Sequence, residues 1–372
     1  MNLPKGTYLA IDLDALVSNY HFFRNRIGAK TKIIAVIKAF AYGHEATAIA
    51  KKLESEGVAY FAVAYTKEGI ALRKAGISTP ILVLHPQIAD IQACLEHQLE
   101  PTIYNFTILE FLQKITRGTS GKKIKIHLKF NTGLNRLGFV MAAIDRLVAS
   151  LEKSDELEVA SVYSHLVASE DPEEKDFTKA QIKAYKAIVK ALDKKLPQAF
   201  QKHLANTSGV INYPEAHFDM VRMGIGLYGY ANDTRITNQL HNVASLYTRI
   251  SQIHTLEPGQ SVGYNRAFVT DKKIQTATLP IGHADGIPRT WGNKVNYVTI
   301  KGKKAPIIGN VCMDMIMVDV SGIVCKEGDV VTIFDTQNTL EELATNSGTI
   351  SYEVLTAISQ RVERVLIHQE KK

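Results

Sequence analysis

A lysine stands where an apolar segment of the chain ends. Residues 33–37 form a continuous apolar run rich in β-branched side chains, and Lys38 follows directly. Such a run predicts a strand buried on both faces of a parallel sheet, with Lys38 as its last residue. Because apolar surroundings lower the pKa of an amine, Lys38 is a candidate to form a covalent link to a carbonyl compound. The alternative is that Lys38 only marks where the strand meets solvent.

Polar residues also stand at the C-terminal ends of several other predicted strands, and a glycine turn follows the last of these strands. The polar residues are Lys129, Arg136, His165, Asn206, Thr207 and Arg222, and the turn contains Gly224 and Ile225. Hydroxyl groups after one strand and a glycine turn after the next can direct N–H groups at an anion such as phosphate. A strand-end lysine together with a phosphate site indicates pyridoxal phosphate as the cofactor. The ordinary alternatives are a hydrogen-bonded core histidine at 165 and a polar loop at 206–208.

The elements that must position these residues alternate between strands and amphipathic helices. We predict strands at 33–38, 60–64, 80–84, 102–104, 124–130, 159–165, 203–206 and 218–223, and helices at 12–27, 45–56, 67–75, 88–98, 106–115, 142–151 and 177–192. Eight alternations predict an α/β fold, a (β/α)₈ barrel of the TIM type. An open parallel sheet is the alternative.

The pattern changes after Tyr230 to short strands separated by glycine-containing turns. We predict strands at 247–253, 274–280, 297–300, 305–309, 315–320, 329–333 and 362–366, and a helix at 340–347. The chain should therefore consist of a cofactor-binding barrel at 1–240 and a mostly β domain at 241–372. In an alternative arrangement, residues 1–12 pack with the second domain.

Composition restricts the class of protein. The 372 residues are 45% hydrophobic and 22% charged, which is typical of a globular protein, and no apolar run is long enough to span a membrane. The N-terminus lacks a signal-peptide pattern, and three widely spaced cysteines, Cys94, Cys312 and Cys325, favour the cytoplasm. The net charge of +7 is thinly spread, so we expect no nucleic-acid partner. We also expect no metal.

Eight motifs, in order along essentially the whole chain, resemble those of alanine racemases. They are AVIKAFAYGH, HLKFNTGLNRLGF, HLANTSG, VRMGIGLYG, VGYNRAF, PIGHADG, GNVCMDMIMVD and ISYEVLTAISQRV. The resemblance implies a pyridoxal-phosphate enzyme with an N-terminal barrel and a C-terminal β domain. It also implies interconversion of L-alanine and D-alanine, which supplies D-alanine for peptidoglycan, by a homodimer with shared active sites.

The resemblance also implies a role for individual residues. Lys38 would hold the cofactor and act as one base, and Tyr264 of the partner subunit as the other. Cofactor binding would involve Tyr42, His165, Asn206, Thr207, Arg222, Gly224, Ile225 and Tyr352, and substrate binding Arg136, Met313 and Asp314. Lys129 would be carbamylated and would orient Arg136. The alternative is an unmodified Lys129 beside an acidic partner.

Three positions depart from the family pattern. Phe40 stands where Asn is usual, Asn131 where Asp is common, and His283 where Tyr is common.

Two rival functions remain open. One rival is a racemase or decarboxylase of the same fold that acts on a larger amino acid. The other is a low-turnover pyridoxal-phosphate-binding protein of vitamin homeostasis, but such proteins resemble the barrel alone. The segment from Leu246 onward argues against that rival.

Overall fold

A computed structural model describes residues 4–118, 121, 123–336 and 339–367 of the chain. The ends of the two predicted domains, 1–3 and 368–372, lie outside the described residues. Two units are distinguished by their internal contacts. The barrel unit comprises Val17–Ala41 and Ala46–Leu240. The β unit combines Tyr42–Glu45 with the described parts of Met1–Leu16 and His241–Lys372.

Eight parallel strands close into the predicted barrel. Strand β1 (Tyr8–Asp12) belongs to the β unit, and the barrel strands are β2 (Lys32–Val36), β3 (Tyr60–Val63), β4 (Ile81–Val83), β5 (Glu100–Ile103), β6 (Ile124–Lys129), β7 (Leu157–Tyr163), β8 (Gln201–His203) and β9 (Met220–Met223). β9 pairs with β2 and completes the ring, so the barrel is confirmed and the open sheet is wrong. Successive residues of β2 are buried, because helices cover the outer faces of such strands.

Helices follow most barrel strands. They are α1 (Leu13–Arg24), α2 (Lys38–Gly43), α3 (Ala46–Ser55), α4 (Thr66–Lys74), α5 (Ile91–Glu96), α6 (Phe106–Thr116), α7 (Ile144–Leu151), α8 (Lys175–Asp193), α9 (Thr207–Asn212) and α10 (Thr234–Thr237). Their apolar residues recur on one face; in α8 the buried set includes Ile182, Tyr185 and Val189. Helices α2, α9 and α10 were not predicted. Among the described residues, no helix is long and apolar enough to cross a membrane.

The segment after β2 differs from its prediction. β2 ends at Val36, so Lys38 is not the last strand residue but the first residue of α2. α2 is a left-handed turn, because Ala39, Phe40, Ala41 and Tyr42 have φ between +52° and +57°. This conformation costs roughly 1–2 kcal/mol per non-glycine residue. Strain of this kind is found mainly at functional sites, where surrounding contacts hold it in place.

The β unit contains a nine-stranded sheet in the order β11-β14-β17-β16-β15-β18-β10-β1-β19. Its strands after β1 are β10 (Ala244–Arg249), β11 (Gln252–Leu256), β14 (Ile274–Leu279), β15 (Tyr297–Ile300), β16 (Lys303–Ile308), β17 (Ile316–Asp319), β18 (Val330–Phe334) and β19 (Glu363–Ile367). A small hairpin, β12 (Ser261–Val262) with β13 (Phe268–Val269), and two helices, α11 (Leu340–Asn346) and α12 (Ser351–Ala357), complete it. The single strand predicted at 247–253 is wrong, because the chain breaks there into β10 and β11.

Candidate active site

Four cationic side chains act on one another at the C-terminal ends of the barrel strands. The pKa of Lys129 is lowered to about 8 by burial and by the positive charges of Arg136, Arg222 and Lys38. Burial and the same cations, with Lys129, hold the pKa of His165 well below its usual range, so this imidazole is neutral at pH 7. Such a concentration of positive charge favours anionic ligands, for example a phosphate or a carboxylate.

Lys38 is half-buried, and its amine has a lowered pKa. Burial is the main cause, Arg136 acts in the same direction, and Glu68 acts against both. The Glu68 carboxylate accepts hydrogen bonds from the backbone N–H of Ala39 and of Ala64, both at 2.7 Å. It therefore holds the strained turn after Lys38. The sequence analysis missed Glu68, although its place in the first turn of α4 is where carboxylates commonly cap backbone N–H groups.

Arg222 on β9 is buried, and its terminal nitrogens are fully used. Nη1 donates to Nδ1 of His203 at 2.8 Å, and Nη2 donates to the carbonyls of Ser164 and Leu204 at 2.7 and 2.9 Å and to Nδ1 of His165 at 3.0 Å. Within the described chain, the remaining donor, Nε–H, makes no hydrogen bond. Burial lowers the pKa of this guanidinium to about 10, so it remains a cation at neutral pH. A ligand with a single acceptor atom, such as a pyridine nitrogen, fits this donor.

The loop after β9 and the start of α9 form a narrow cradle. The hydroxyl of buried Thr207 accepts a hydrogen bond from the backbone N–H of Gly226 at 3.4 Å. A Cβ at Gly226 would lie 2.7 Å from the Phe23 ring, so the close approach requires glycine. Gly224 and Ile225, the predicted phosphate-binding residues, are buried beside it. Asn206 caps α9, because its Oδ1 accepts from the N–H of Gly209 at 2.9 Å.

The loop that follows β6 carries Arg136 and is shaped by Asn131. The Oδ1 of Asn131 accepts from the N–H of Gly133 at 3.1 Å and from that of Asn135 at 3.0 Å. An aspartate would offer the same acceptor, so the departure from the family pattern leaves these two bonds intact. A Cβ at Gly138 would lie 2.6 Å from the backbone of Phe130, which requires glycine where the loop returns to the strand.

In the β unit, the predicted cofactor residues Tyr42 and Tyr352 lie together. Their ring centroids are 6.1 Å apart. Burial, and to a lesser extent Tyr352, raises the pKa of the Tyr42 hydroxyl, which therefore keeps its proton and remains a hydrogen-bond donor. Gly43 follows with φ of +85°, and a Cβ there would lie 2.0 Å from the Leu355 carbonyl oxygen.

Tyr264 and Met313 are exposed on the β unit. Their side chains are 72% and 59% accessible. The segment of Met313 is held by backbone bonds, because the N–H of His283 donates to Cys312 and that of Ala284 to Met313, both at 2.9 Å. A Cβ at Gly282 would lie 2.4 Å from two carbonyl oxygens of that segment. These contacts hold the backbone of the PIGHADG motif against that of the GNVCMDMIMVD motif.

Asp314 forms an ion pair with Arg361 at 2.6 Å, and Arg361 also pairs with Asp285 at 2.7 Å.

Two of the residues that depart from the family pattern lie at the surface, since Phe40 is 55% accessible and His283 is exposed. Among the described residues, no group of three or more metal-ligating side chains comes together. The residues that converge in the barrel unit thus include Lys38, Lys129, Arg136, His165 and Arg222. The β unit contains the other predicted residues Tyr42, Tyr264, Met313, Asp314 and Tyr352.

The barrel, the half-buried lysine at the start of α2, the Nε–H of Arg222, which has no partner among the described residues, and the glycine cradle define a class of enzyme. A phosphorylated pyridine aldehyde fits these residues, since Lys38 can bind its carbonyl group, Arg222 its ring nitrogen and the cradle its phosphate. The class is that of pyridoxal-phosphate enzymes built on a (β/α)₈ barrel with an additional β domain.

Comparison with known proteins identifies the family. Residues 11–232 match the family model "Alanine racemase, N-terminal domain" and residues 243–366 match "Alanine racemase, C-terminal domain". The chain therefore belongs to the alanine racemase family, and its cofactor is pyridoxal phosphate. Alanine racemase 1 of Caldanaerobacter subterraneus subsp. tengcongensis is 36% identical, over 98% of this chain and 95% of its own.

Solved structures of alanine racemases are also similar. The enzyme of Clostridium difficile 630 superposes with a TM-score of 0.92 and 33% identity over 99% of this chain and 97% of its own. The enzyme of Bartonella henselae, with covalently bound pyridoxal phosphate, gives a TM-score of 0.88 and 30% identity over 98% of this chain and 100% of its own.

Proposed function

We propose that the chain interconverts L-alanine and D-alanine by a two-base mechanism, with Lys38 and Tyr264 of the partner subunit as the bases. The observation that carries the proposal is the geometry around Arg222: within the described residues its terminal nitrogens are used and its Nε–H is not, and Arg222 acts on His165 together with the cations Arg136, Lys129 and Lys38. This arrangement suits an anionic cofactor with an unprotonated ring nitrogen. The activity supplies D-alanine, which the family typically provides for peptidoglycan.

Racemisation requires that the Cα proton leave from one face and return to the other. When bound, pyridoxal phosphate makes this proton acidic by withdrawing electrons from the amino acid. Lys38 transfers the proton on one face, and its lowered pKa favours the neutral amine that can accept it. Tyr264 is exposed in the single chain, which leaves its hydroxyl available to a second subunit for the opposite face.

Arg222 determines where the negative charge rests during the reaction. A guanidinium offers only donors, so its Nε–H leaves the pyridine nitrogen as an acceptor without a proton. A cofactor held in this way by Arg222 would withdraw electrons less strongly, so the charge would stay largely at Cα. Prompt return of the proton to Cα completes racemisation, whereas a carboxylate in place of Arg222 would favour transamination.

The remaining residues bind and orient. Neutral His165 would lie beside the pyridine ring, and Arg136, Met313 and Asp314 would contact the substrate or the phenolic oxygen of the cofactor. The phosphate is bound by backbone N–H groups and hydroxyls of Tyr42, Asn206, Thr207, Gly224, Ile225 and Tyr352. The cations that act on His165 and the burial of Thr207 support these assignments.

We further propose that Lys129 is carbamylated. Its neutral amine adds to carbon dioxide, forms an N–C bond and releases one proton, which leaves a carbamate anion. A pKa of about 8 supports this step, because a sizeable fraction of the amine is neutral at physiological pH. Every charged group that shifts this pKa is a cation, so a carbamate would relieve repulsion and attract Arg136.

The working enzyme is proposed to be a cytoplasmic homodimer with shared active sites. In each chain, residues 1–240 bind the cofactor, and residues 241–372 supply Tyr264 and dimer contacts. The exposed side chains of Tyr264 and Met313 support a role for this part of the chain in contacting a second subunit.

The test is to incubate the purified protein with pyridoxal phosphate and L-alanine and to measure D-alanine by chiral chromatography. We expect an equal mixture of the two enantiomers at equilibrium. Larger amino acids and carbon dioxide release are measured in parallel, because racemisation or decarboxylation of those substrates alone would favour the same-fold rival. Stoichiometric cofactor binding without any turnover would favour the pyridoxal-phosphate-binding protein of vitamin homeostasis.

A further inference from the structure

A continuous chain of hydrogen bonds crosses the interior of the barrel from Arg222 to Glu100. Nη1 of Arg222 lies 2.8 Å from Nδ1 of His203, and Nε2 of His203 lies 2.9 Å from Oγ of Ser161. The same Oγ lies 2.6 Å from Nδ1 of His127, and Nε2 of His127 lies 2.8 Å from the Glu100 carboxylate. His127, Ser161 and His203 are completely inaccessible to solvent.

The direction of donation along this chain is fixed by its first member. A guanidinium has no acceptor, so Nδ1 of His203 must accept and the ring proton must sit on Nε2. That proton is donated to Ser161, whose hydroxyl then donates to Nδ1 of His127. The remaining N–H of His127, on Nε2, donates to Glu100. In the reverse order, Nδ1 of His203 would carry a proton, and this N–H would face an N–H of Arg222.

Glu100 ends this chain as an acceptor. Burial opposes ionisation of its carboxyl group, but the hydrogen bonds from His127 and Tyr60 and the positive charge of Lys125 outweigh burial and lower its pKa. Glu100 stands at the start of β5, where it lines a cavity of about 440 Å³ together with Arg73, Lys123 and Lys125. An ionised carboxylate accepts only, so it fits the far end of a chain that begins with a donor.

We propose that Glu100, His127, Ser161 and His203 form a positioning relay for Arg222. The guanidinium at one end and the carboxylate at the other require the same order of protons on both histidines, so His203 keeps a bare Nδ1 that holds Nη1 of Arg222. This leaves Nε–H directed at the ring nitrogen of the cofactor. The last step rests on the proposed function, whereas the order of the protons is a property of the chain alone.

The stacking of Tyr163 on His203 supports a fixed orientation of that imidazole. The two rings are parallel within 7°, with centroids 4.7 Å apart. The Arg222 guanidinium lies 5.3 Å from the same Tyr163 ring, and the Tyr163 hydroxyl is tied to Thr102 at 2.9 Å. His203 can therefore neither rotate freely nor exchange its partners without moving Tyr163.

The order of the protons is tested by ¹⁵N NMR of histidine-labelled full-length protein at neutral pH, with and without pyridoxal phosphate. Signals are assigned by their loss in His127→Gln and His203→Asn. We expect both histidines to be protonated at Nε2 and bare at Nδ1. A proton on Nδ1 of His203 would overturn the relay, whatever the enzyme does with alanine.

The action on Arg222 is tested with Ser161→Ala, which interrupts the chain, and Glu100→Gln, which removes the charge. For each variant we expect kcat to fall roughly tenfold, with little change in KM and a shifted absorbance of the bound cofactor before substrate is added. The control is His217→Asn, since His217 is also buried in the barrel unit, but within the described residues its imidazole bonds to the Val210 carbonyl, at 3.0 Å, and to no member of the relay.

The outcomes separate positioning from general stabilisation. A lowered melting temperature with unchanged cofactor absorbance and kcat would show that the chain supports only the fold. The same spectral change in His217→Asn would likewise exclude a specific relay. If Ser161→Ala does not fold, Glu100→Gln still tests the action of the relay on Arg222, and the NMR of the unmodified protein still tests the order of the protons. An absence of racemase activity in the unmodified enzyme would contradict the proposed function but leave the NMR result valid.

Discussion

Glu68 accepts a hydrogen bond from the backbone N–H of Ala39 at 2.7 Å, and so ties α4 to the left-handed turn that begins at Lys38. The same carboxylate also accepts from the N–H groups of Ala64 and Tyr65. Its negative charge partly offsets burial and Arg136, which together lower the pKa of Lys38. The Glu68 side chain thus stabilises the turn and limits the lowering of the Lys38 pKa.

Glu68→Gln should lower both the stability of the fold and the pKa of Lys38. The amide offers one oxygen in place of two charged ones, so a backbone N–H loses its acceptor at a cost of about 1–3 kcal/mol. Loss of the negative charge lowers the Lys38 pKa further, and the cofactor-free variant should be acylated at Lys38 at lower pH. The control is Glu110→Gln, whose carboxylate pairs with exposed Arg146. An unchanged pH profile of acylation would contradict the electrostatic role of Glu68.

Reduction with borohydride should attach the cofactor irreversibly to Lys38. The purified protein should be yellow, and peptide mass spectrometry should find the pyridoxyl group on this residue. Lys38→Arg should remain colourless and inactive, because a guanidinium keeps its proton and cannot form the link. The control Lys67→Arg replaces an exposed lysine of α4 and should behave like the unmodified enzyme. Labelling at another lysine would contradict the assignment.

Carbamylation of Lys129 should be visible by ¹³C NMR in bicarbonate enriched in ¹³C. Only the neutral amine reacts, so the carbamate signal should increase as the pH rises from about 7 to 9 through the lowered pKa. The signal should be lost in Lys129→Gln but persist in Lys125→Gln, which changes a half-buried lysine of the same strand. An electron-density map with an unmodified Lys129 beside a carboxylate would support the alternative.

The barrel could be predicted because parallel strands are apolar on both faces, as in 33–37. The left-handed turn could not be predicted, since Ala39–Tyr42 contains no glycine and local preference favours a right-handed turn. The strand predicted at 247–253 merged two strands because no glycine or proline marks the break at Ile250. His127 and Ser161 carried an overlooked signal, since polar residues within a strand buried on both faces require partners.

Complementation between two inactive variants tests the shared active site. In the proposed dimer, each site uses Lys38 of one chain and Tyr264 of the partner subunit. Lys38→Ala and Tyr264→Phe should each be nearly inactive as homodimers. In the mixed dimer, the site on the Lys38→Ala chain is doubly defective. The other site keeps its own Lys38 and receives an intact tyrosine, so it is complete.

Random exchange of equal amounts makes about half of the dimers mixed, each with one complete site, so about a quarter of the full activity should return. If both residues acted within one chain, every site in the mixture would keep one defect and no activity would return. Co-expression with two different affinity tags isolates the mixed dimer and excludes a failure of exchange as the cause. A verified mixed dimer without activity would therefore show that Lys38 and Tyr264 do not serve a site shared between subunits.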